Sequence, residues 1–276
     1  MQVFSRHGLT FDVTDAGPTD GRVVILLHGF PEDRRSWDGV IPALTAAGYR
    51  VLAPDQRGYS PGARPKGRKA YKVGELEADV LALADAAGAD RFDVVGHDWG
   101  AVVAWGLGAH HPDRVRTLTA LSVPHTEAFL RSMLRSSQAF HSWYMLFFQL
   151  PAIPEALLSR GRGKALSKSL GRSGLGGEAA ARYGRRAAVS SDMTGPINWY
   201  RAIPFGVGER MARIEVPTLF VYGARDGFIT AAAAQACGSW VRGPYRYEAL
   251  ADAGHWLPEE NPDEVSRLLI EQLSAA

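Results

Sequence analysis

Short apolar, β-branched runs alternate along most of this chain with stretches whose apolar residues recur every three or four positions. "RVVILLHG" (Arg22–Gly29), "RVLAPD" (Arg50–Asp55), "FDVVGH" (Phe92–His97), "VRTLTALSV" (Val115–Val123) and "PTLFVYG" (Pro217–Gly223) have the continuous apolar character of strands buried on both faces. Between them, Leu76, Val80, Leu83, Ala84 and Ala87 share one helical face. "WDGVIPALTAAG" (Trp37–Gly48) and "WGAVVAWGLGAHH" (Trp99–His111) also fit helices. "NPDEVSRLLIEQL" (Asn261–Leu273) opens on an Asn-Pro-Asp capping signal and carries an amphipathic stripe. The first residues, "MQVFSRHGLTFDV", alternate like one more strand. Buried strands alternating with helices predict a mostly parallel α/β sheet.

The alternation stops between about Pro124 and Gly208. This stretch has no convincing strand, an aromatic cluster at "WYMLFFQLP" (Trp143–Pro151), and the segment "SRGRGKALSKSLGRSGLGGEAAARYGRR". The strand pattern resumes at Pro217. The economical reading is one α/β core, residues 1–123 and 209–276, carrying a mainly helical cap at 124–208. The Gly-rich segment is expected to be an exposed or mobile part of that cap. Its basic residues read as a solvated face, with an anionic substrate or surface as the alternative.

Composition narrows the class. Hydrophobic residues make up 46 % and charged residues 22 % of 276, an ordinary globular balance. A formal net charge of +2 is too slight to argue for nucleic acid. The single cysteine, Cys237, allows no intramolecular disulfide. No apolar run is long enough to cross a bilayer, and the N-terminal residues lack an apolar signal core. The expectation is a cytoplasmic monomer or homodimer that uses no metal or cofactor.

The candidate chemistry starts at "GHDWG" (Gly96–Gly100). A strand, a sharp corner and a helix would hold the Asp98 side chain proud of the sheet, with the small residues Gly96 and Gly100 permitting the turn. On its own the pentad leaves Asp98 either a nucleophile or an N-cap of the helix behind it. Three features bear on the choice. "HGFP" (His28–Pro31) follows an earlier strand, where the Phe30 amide together with that of Trp99 could hold an oxyanion. Such a donor is worth roughly 3–4 kcal/mol to a transition state. His28 itself reads as a structural residue orienting the loop. Asp226 in "YGARDGFIT" stands just past a late strand, where an acid partner is expected; Asp252 is a weaker candidate. No carboxylate follows the strand at Val115–Val123 until Glu127. His255 in "ADAGHWLPEENP" comes third, completing the order nucleophile, acid, histidine.

On these residues the sequence resembles the α/β-hydrolase superfamily over essentially its whole length. Within it, "HGFP" and "GHDWGA" look like the epoxide hydrolases and haloalkane dehalogenases, which use an aspartate nucleophile. The resemblance implies an α/β-hydrolase fold and a cis Phe30–Pro31 bond. A carboxylate suits displacement at an sp³ carbon, leaving an alkyl ester that water activated by His255, supported by Asp226, can hydrolyse. "YMLFFQLP" and "INWYRAI" are similar to the two cap segments in which epoxide hydrolases carry tyrosines. The match assigns Tyr144 and Tyr200 as donors to the epoxide oxygen, aromatic packing being the alternative. Phe30, Trp99, Phe147, Phe148, Trp199 and Trp256 are assigned to an apolar pocket, so the expected partners are a small hydrophobic epoxide and water. The runner-up is a haloalkane or haloacid dehalogenase, although Phe30 stands where an Asn halide donor usually does. A non-catalytic binder of hydrophobic ligands would be expected to lack a member of the triad.

Overall fold

The computed structural model describes residues 1–206 and 211–275. Eight strands, β1 (Val3–Arg6), β2 (Leu9–Ala16), β3 (Val23–Leu27), β4 (Arg50–Pro54), β5 (Phe92–His97), β6 (Val115–Leu121), β7 (Thr218–Gly223) and β8 (Tyr245–Leu250), form one sheet. Their order is β1-β2-β4-β3-β5-β6-β7-β8. β1 and β2 are antiparallel to each other, and β2 is antiparallel to β4; all later pairs are parallel. The chain has the α/β-hydrolase fold.

Every residue of β3, β5 and β7 is buried. On β3, Val23, Ile25 and Leu27 belong to one apolar cluster while Val24 and Leu26 belong to the other, so both faces of the sheet are covered. Helices α1 (Ile41–Ala46), α2 (Val73–Ala86) and α3 (Trp99–His110) connect the early strands. Between β6 and β7 lie α4 (Thr126–Arg135), α5 (Gln138–His141), α6 (Trp143–Phe147), α7 (Ile153–Leu158), α8 (Lys164–Arg172), α9 (Gly177–Arg186) and α10 (Ser191–Ala202). No strand occurs in that stretch among the described residues, and Gly208, the expected end of the cap, lies outside them. Helices α11 (Ala231–Gln235), α12 (Leu257–Glu260) and α13 (Pro262–Ser274) complete the chain.

Four expectations need correction. The N-terminal alternation is a hairpin, β1 and β2, reversing at His7 and Gly8, both at positive φ. The helix expected over Trp37–Gly48 is shorter: a tight turn at Arg34–Trp37, capped by the Asp33 side chain, precedes α1. Strand β8 was not anticipated, because its residues are half-buried at the sheet edge and alternate apolar with charged. The Gly-rich segment is exposed along much of its length, but it is helical rather than loose: Leu166 and Leu170 of α8 and Ala180 and Tyr183 of α9 are buried. Its small residues serve packing, since a Cβ on Gly163 would overlap the Gly184 carbonyl oxygen.

Candidate active site

The corner between β5 and α3 is tight enough to dictate its residues. A Cβ on Gly96 would overlap the Gly100 carbonyl, and one on Gly100 would overlap that of Leu27. Asp98, between them, has φ 51° and ψ −118°, a conformation that costs a non-glycine residue of order 1–3 kcal/mol. Asp98 occupies the N-cap position of α3, yet its carboxylate accepts no hydrogen bond from the helix. Oδ1 instead accepts the Phe30 amide at 2.7 Å, and Oδ2 lies 3.6 Å from His255 Nε2. The choice between cap and reactive carboxylate is thereby narrowed: the side chain faces across the corner toward His255.

His255, in the loop before α12, contacts Asp226 Oδ2 through Nδ1 at 2.8 Å. Asp226 stands past the end of β7, and its other oxygen accepts the amides of Phe228 (2.7 Å) and Ile229 (3.0 Å). The three side chains, from two strand ends and one loop, are thus aligned carboxylate–imidazole–carboxylate and largely buried. Burial alone would push His255 down, but the Asp226 and Asp98 carboxylates outweigh it and lift its pKa to about 10. Burial pushes Asp98 up; the His255 bond and charge, with His97 and the Phe30 amide, overcome it and hold the carboxylate below its ordinary range.

Above this line stand Tyr144, on α6, and Tyr200, on α10. Their rings lie 5.9 Å apart in an edge-to-face pair, and Tyr200 packs edge-on against Trp99 at 5.0 Å. Burial raises the pKa of both phenols far above the usual value, and the Asp98 charge raises them further. Both therefore carry their protons at any ordinary pH. A cavity of about 650 Å³ is lined by Asp98, His255, Tyr144, Tyr200, Trp99 and Trp199, and also by Lys72, Glu77 and His110.

Of the residues assigned to the pocket, Trp99 and Trp199 line this cavity; Phe30, Phe147, Phe148 and Trp256 do not. Phe30 and Phe148 form the layer behind Tyr200, at 5.3 and 4.8 Å from its ring, and Phe147 packs on Phe148 at 5.7 Å. Trp256 lies beside His255 at 5.0 Å and donates its indole N–H to Ser173. The Phe30–Pro31 bond is cis. His28 accepts the Gln56 amide, consistent with a loop-orienting role. Asp252 is exposed and paired with Arg225, away from the triad; Glu127 is on the cavity wall.

One network was missed. Glu32 Oε2 accepts the Gly29 amide (2.8 Å) and contacts His97 Nδ1 (2.9 Å), with both side chains fully buried. His97 Nε2 and the Ser122 hydroxyl both donate to the His255 carbonyl, at 2.8 and 2.7 Å. The loop carrying Phe30, the β5 corner and the backbone of His255 are therefore tied together. Among the described residues, no cluster of three or more His, Cys, Asp or Glu could hold a metal, and no helix is long and apolar enough to cross a membrane.

A family model described as the alpha/beta hydrolase fold matches residues 22–262. The chain is similar to epoxide hydrolase A of Mycobacterium tuberculosis, with 37 % identity over 311 aligned residues, 97 % of this chain and 95 % of that one. Mouse epoxide hydrolase 4 matches at 32 % identity over 95 % of this chain and 76 % of its own. Among solved structures, epoxide hydrolase A from Mycobacterium thermoresistibile aligns with a TM-score of 0.86 at 32 % identity, covering 99 % of this chain and 97 % of that one.

Proposed function

The chain belongs to the α/β-hydrolase family and is a hydrolase, and from that premise we propose that it converts a hydrophobic epoxide to a vicinal diol through an alkyl ester on Asp98. The observation that carries this reading is a single imidazole between two carboxylates, beneath two buried protonated phenols. Relatives named epoxide hydrolase support the same substrate class. In this reading the helices between β6 and β7 act as a cap that roofs the cavity.

The steps balance as follows. Asp98 Oδ2 attacks an epoxide carbon, the ring C–O bond breaks, and Tyr144 or Tyr200 gives its proton to the departing oxygen. The ester has no negative charge, so His255 loses one of the two carboxylates that hold its pKa high. Its proton returns to the phenolate, leaving a neutral imidazole. That imidazole takes a proton from water as the water oxygen attacks the Asp98 Cγ, and the Phe30 and Trp99 amides receive the oxyanion. As the tetrahedral adduct collapses, the departing diol oxygen takes the proton of the hydroxyl that water left on Cγ, relayed through His255, so the diol is freed, Asp98 is again a carboxylate and His255 remains protonated. The Trp99 side chain is engaged with the Tyr200 hydroxyl, and Phe30 replaces the Asn of a halide site, so the dehalogenase alternative has less support.

A single turnover of styrene oxide with excess enzyme in H₂¹⁸O tests the scheme. The ester route leaves ¹⁸O in the Asp98 carboxylate and none in the first diol formed. Diol carrying the label, with unlabelled Asp98, would mean direct attack by water and overturn it.

A further inference from the structure

The outer side of the helices between β6 and β7 is apolar where a solvated surface would be polar. Leu134 is 88 % exposed, Phe140 82 %, Leu146 77 % and Trp143 64 %; Leu130, Leu150, Ile153 and Leu157 are also exposed. Single exposed apolar side chains are commonplace, but seven on the successive helices α4–α7, with Leu150 between α6 and α7, make a surface that asks for an occupant.

Charge identifies the occupant. From α4 to α8 the exposed charges are Arg131, Arg135, Arg160, Arg162, Lys164, Lys168 and Arg172, against the half-buried Glu127 at the start of α4 and the exposed Glu178 at the start of the neighbouring α9. The other carboxylate in this stretch, Glu155, is buried against Arg201. Lys164, Lys168 and Arg172 recur at four-residue spacing on α8, which packs against α7 with its exposed Ile153 and Leu157. The chain as a whole has 31 basic and 29 acidic residues, so the remainder of the molecule is net acidic and the cap is its cationic pole. A second copy of the chain is disfavoured, because a two-fold interface over this patch would bring the same cations together. Exposed Trp, Phe and Leu flanked by Lys and Arg match the interface of an anionic bilayer.

The cavity gives this surface a purpose. Leu130 is both exposed and part of the cavity wall, and Met145 lines the cavity between Tyr144 and the exposed Leu146. The cavity therefore reaches the apolar patch. We infer that the α4–α8 surface docks on anionic lipid bilayers, setting the mouth of the cavity against the lipid so that apolar ligands enter from the membrane. This binding stands apart from the proposed chemistry and is tested without it.

The test is co-sedimentation of the full chain with vesicles of phosphatidylcholine, alone or with phosphatidylglycerol, at low and high salt. Binding should require phosphatidylglycerol and weaken with salt. Lys164→Gln, Lys168→Gln and Arg172→Gln should each weaken it roughly fivefold. Leu134→Ser/Trp143→Ser/Leu146→Ser should abolish it, with an unchanged unfolding temperature showing that the fold survives. Equal binding to both vesicle types, or no loss in the charge variants, would overturn the proposal. So would failure to pellet with either vesicle; a dimer seen by sedimentation velocity that the triple variant dissociates would then make the patch a self-association surface.

Discussion

Glu32→Gln probes the network that joins the Phe30 loop to His255. One oxygen of Glu32 accepts the Gly29 amide and also meets His97 Nδ1, while His97 Nε2 donates to a carbonyl. Burial pushes the His97 pKa down, but the Glu32 charge outweighs it and the result is a net rise, which favours the charged imidazolium beside Glu32. Glutamine cannot replace both bonds. If its oxygen takes the shared position, the imidazolium is buried without a counter-charge; if its nitrogen does, the Gly29 amide loses its acceptor. The first fault costs about 3–5 kcal/mol and the second about 1–3 kcal/mol. We expect about 2–4 kcal/mol, since the loop can relax. For a domain of this size that lowers Tm by roughly 4–16 °C, measurable by calorimetry at pH 7. The neighbouring Phe30 amide should move with Gly29, so stopped-flow measurements should find ester hydrolysis slowed more than alkylation. Complete loss of that amide donor sets a ceiling of roughly 10²–10³-fold. A variant that melts within about 1 °C of the parent and hydrolyses its ester normally would refute this account of the network.

Other consequences follow from the triad and the cap. His255→Gln should still be alkylated but should accumulate the ester, visible by mass spectrometry as one added substrate per chain; an unmodified protein would count against the two-step scheme. Tyr144→Phe and Tyr200→Phe should each slow ring opening, roughly ten- to a hundredfold for loss of part of a general acid, with the double change much slower than either. Normal opening by the double variant would make both rings packing residues. The raised pKa of His255 also fixes the sign of a pH effect on stability. Above its unfolded value of about 6.5 the native state holds more protons, so stability falls as pH rises toward about 10, by at most about 1.4 kcal/mol per unit. The Tm advantage of the parent over His255→Gln should therefore shrink between pH 7 and 9; a constant gap would contradict it.

Much of the core was legible because β3, β5 and β7 are covered on both faces, which forces continuous apolar runs. β8 escaped notice for the converse reason: an edge strand with half-buried residues has no such constraint. In the segment around Gly163 and Gly184, composition was misleading, since glycine marks both flexible chain and close helix contact, and only the α8–α9 packing tells them apart. Asp98, Asp226 and His255 could be picked out because their order and strand-end positions are set by topology. Glu32 could not, because a carboxylate after proline reads as a surface residue, and its complete burial is a tertiary fact. The same limit affected the pocket walls. Phe148 and Trp256 lie on or beside short helices whose orientation no periodicity specifies, and both stand behind residues that line the cavity rather than lining it.

The anchoring of His255 bears directly on the proposed cycle. Its main-chain carbonyl is held by His97 and Ser122, and its Nδ1 by an Asp226 that is itself fixed by two amides. The ring is thus constrained from the side away from the nucleophile, and its distance to Asp98, 3.6 Å, is the one long contact of the line. That arrangement lets the charge on His255 change while its position does not. When alkylation neutralises Asp98, the imidazole loses a stabilising charge but none of the bonds that orient it, so it can release a proton and then act as base from the same place. A shorter, stronger bond to Asp98 would hold the resting carboxylate more firmly and make it a poorer nucleophile. The asymmetry between the 2.8 Å contact to Asp226 and the 3.6 Å contact to Asp98 therefore suits a carboxylate that must react beside one that must not.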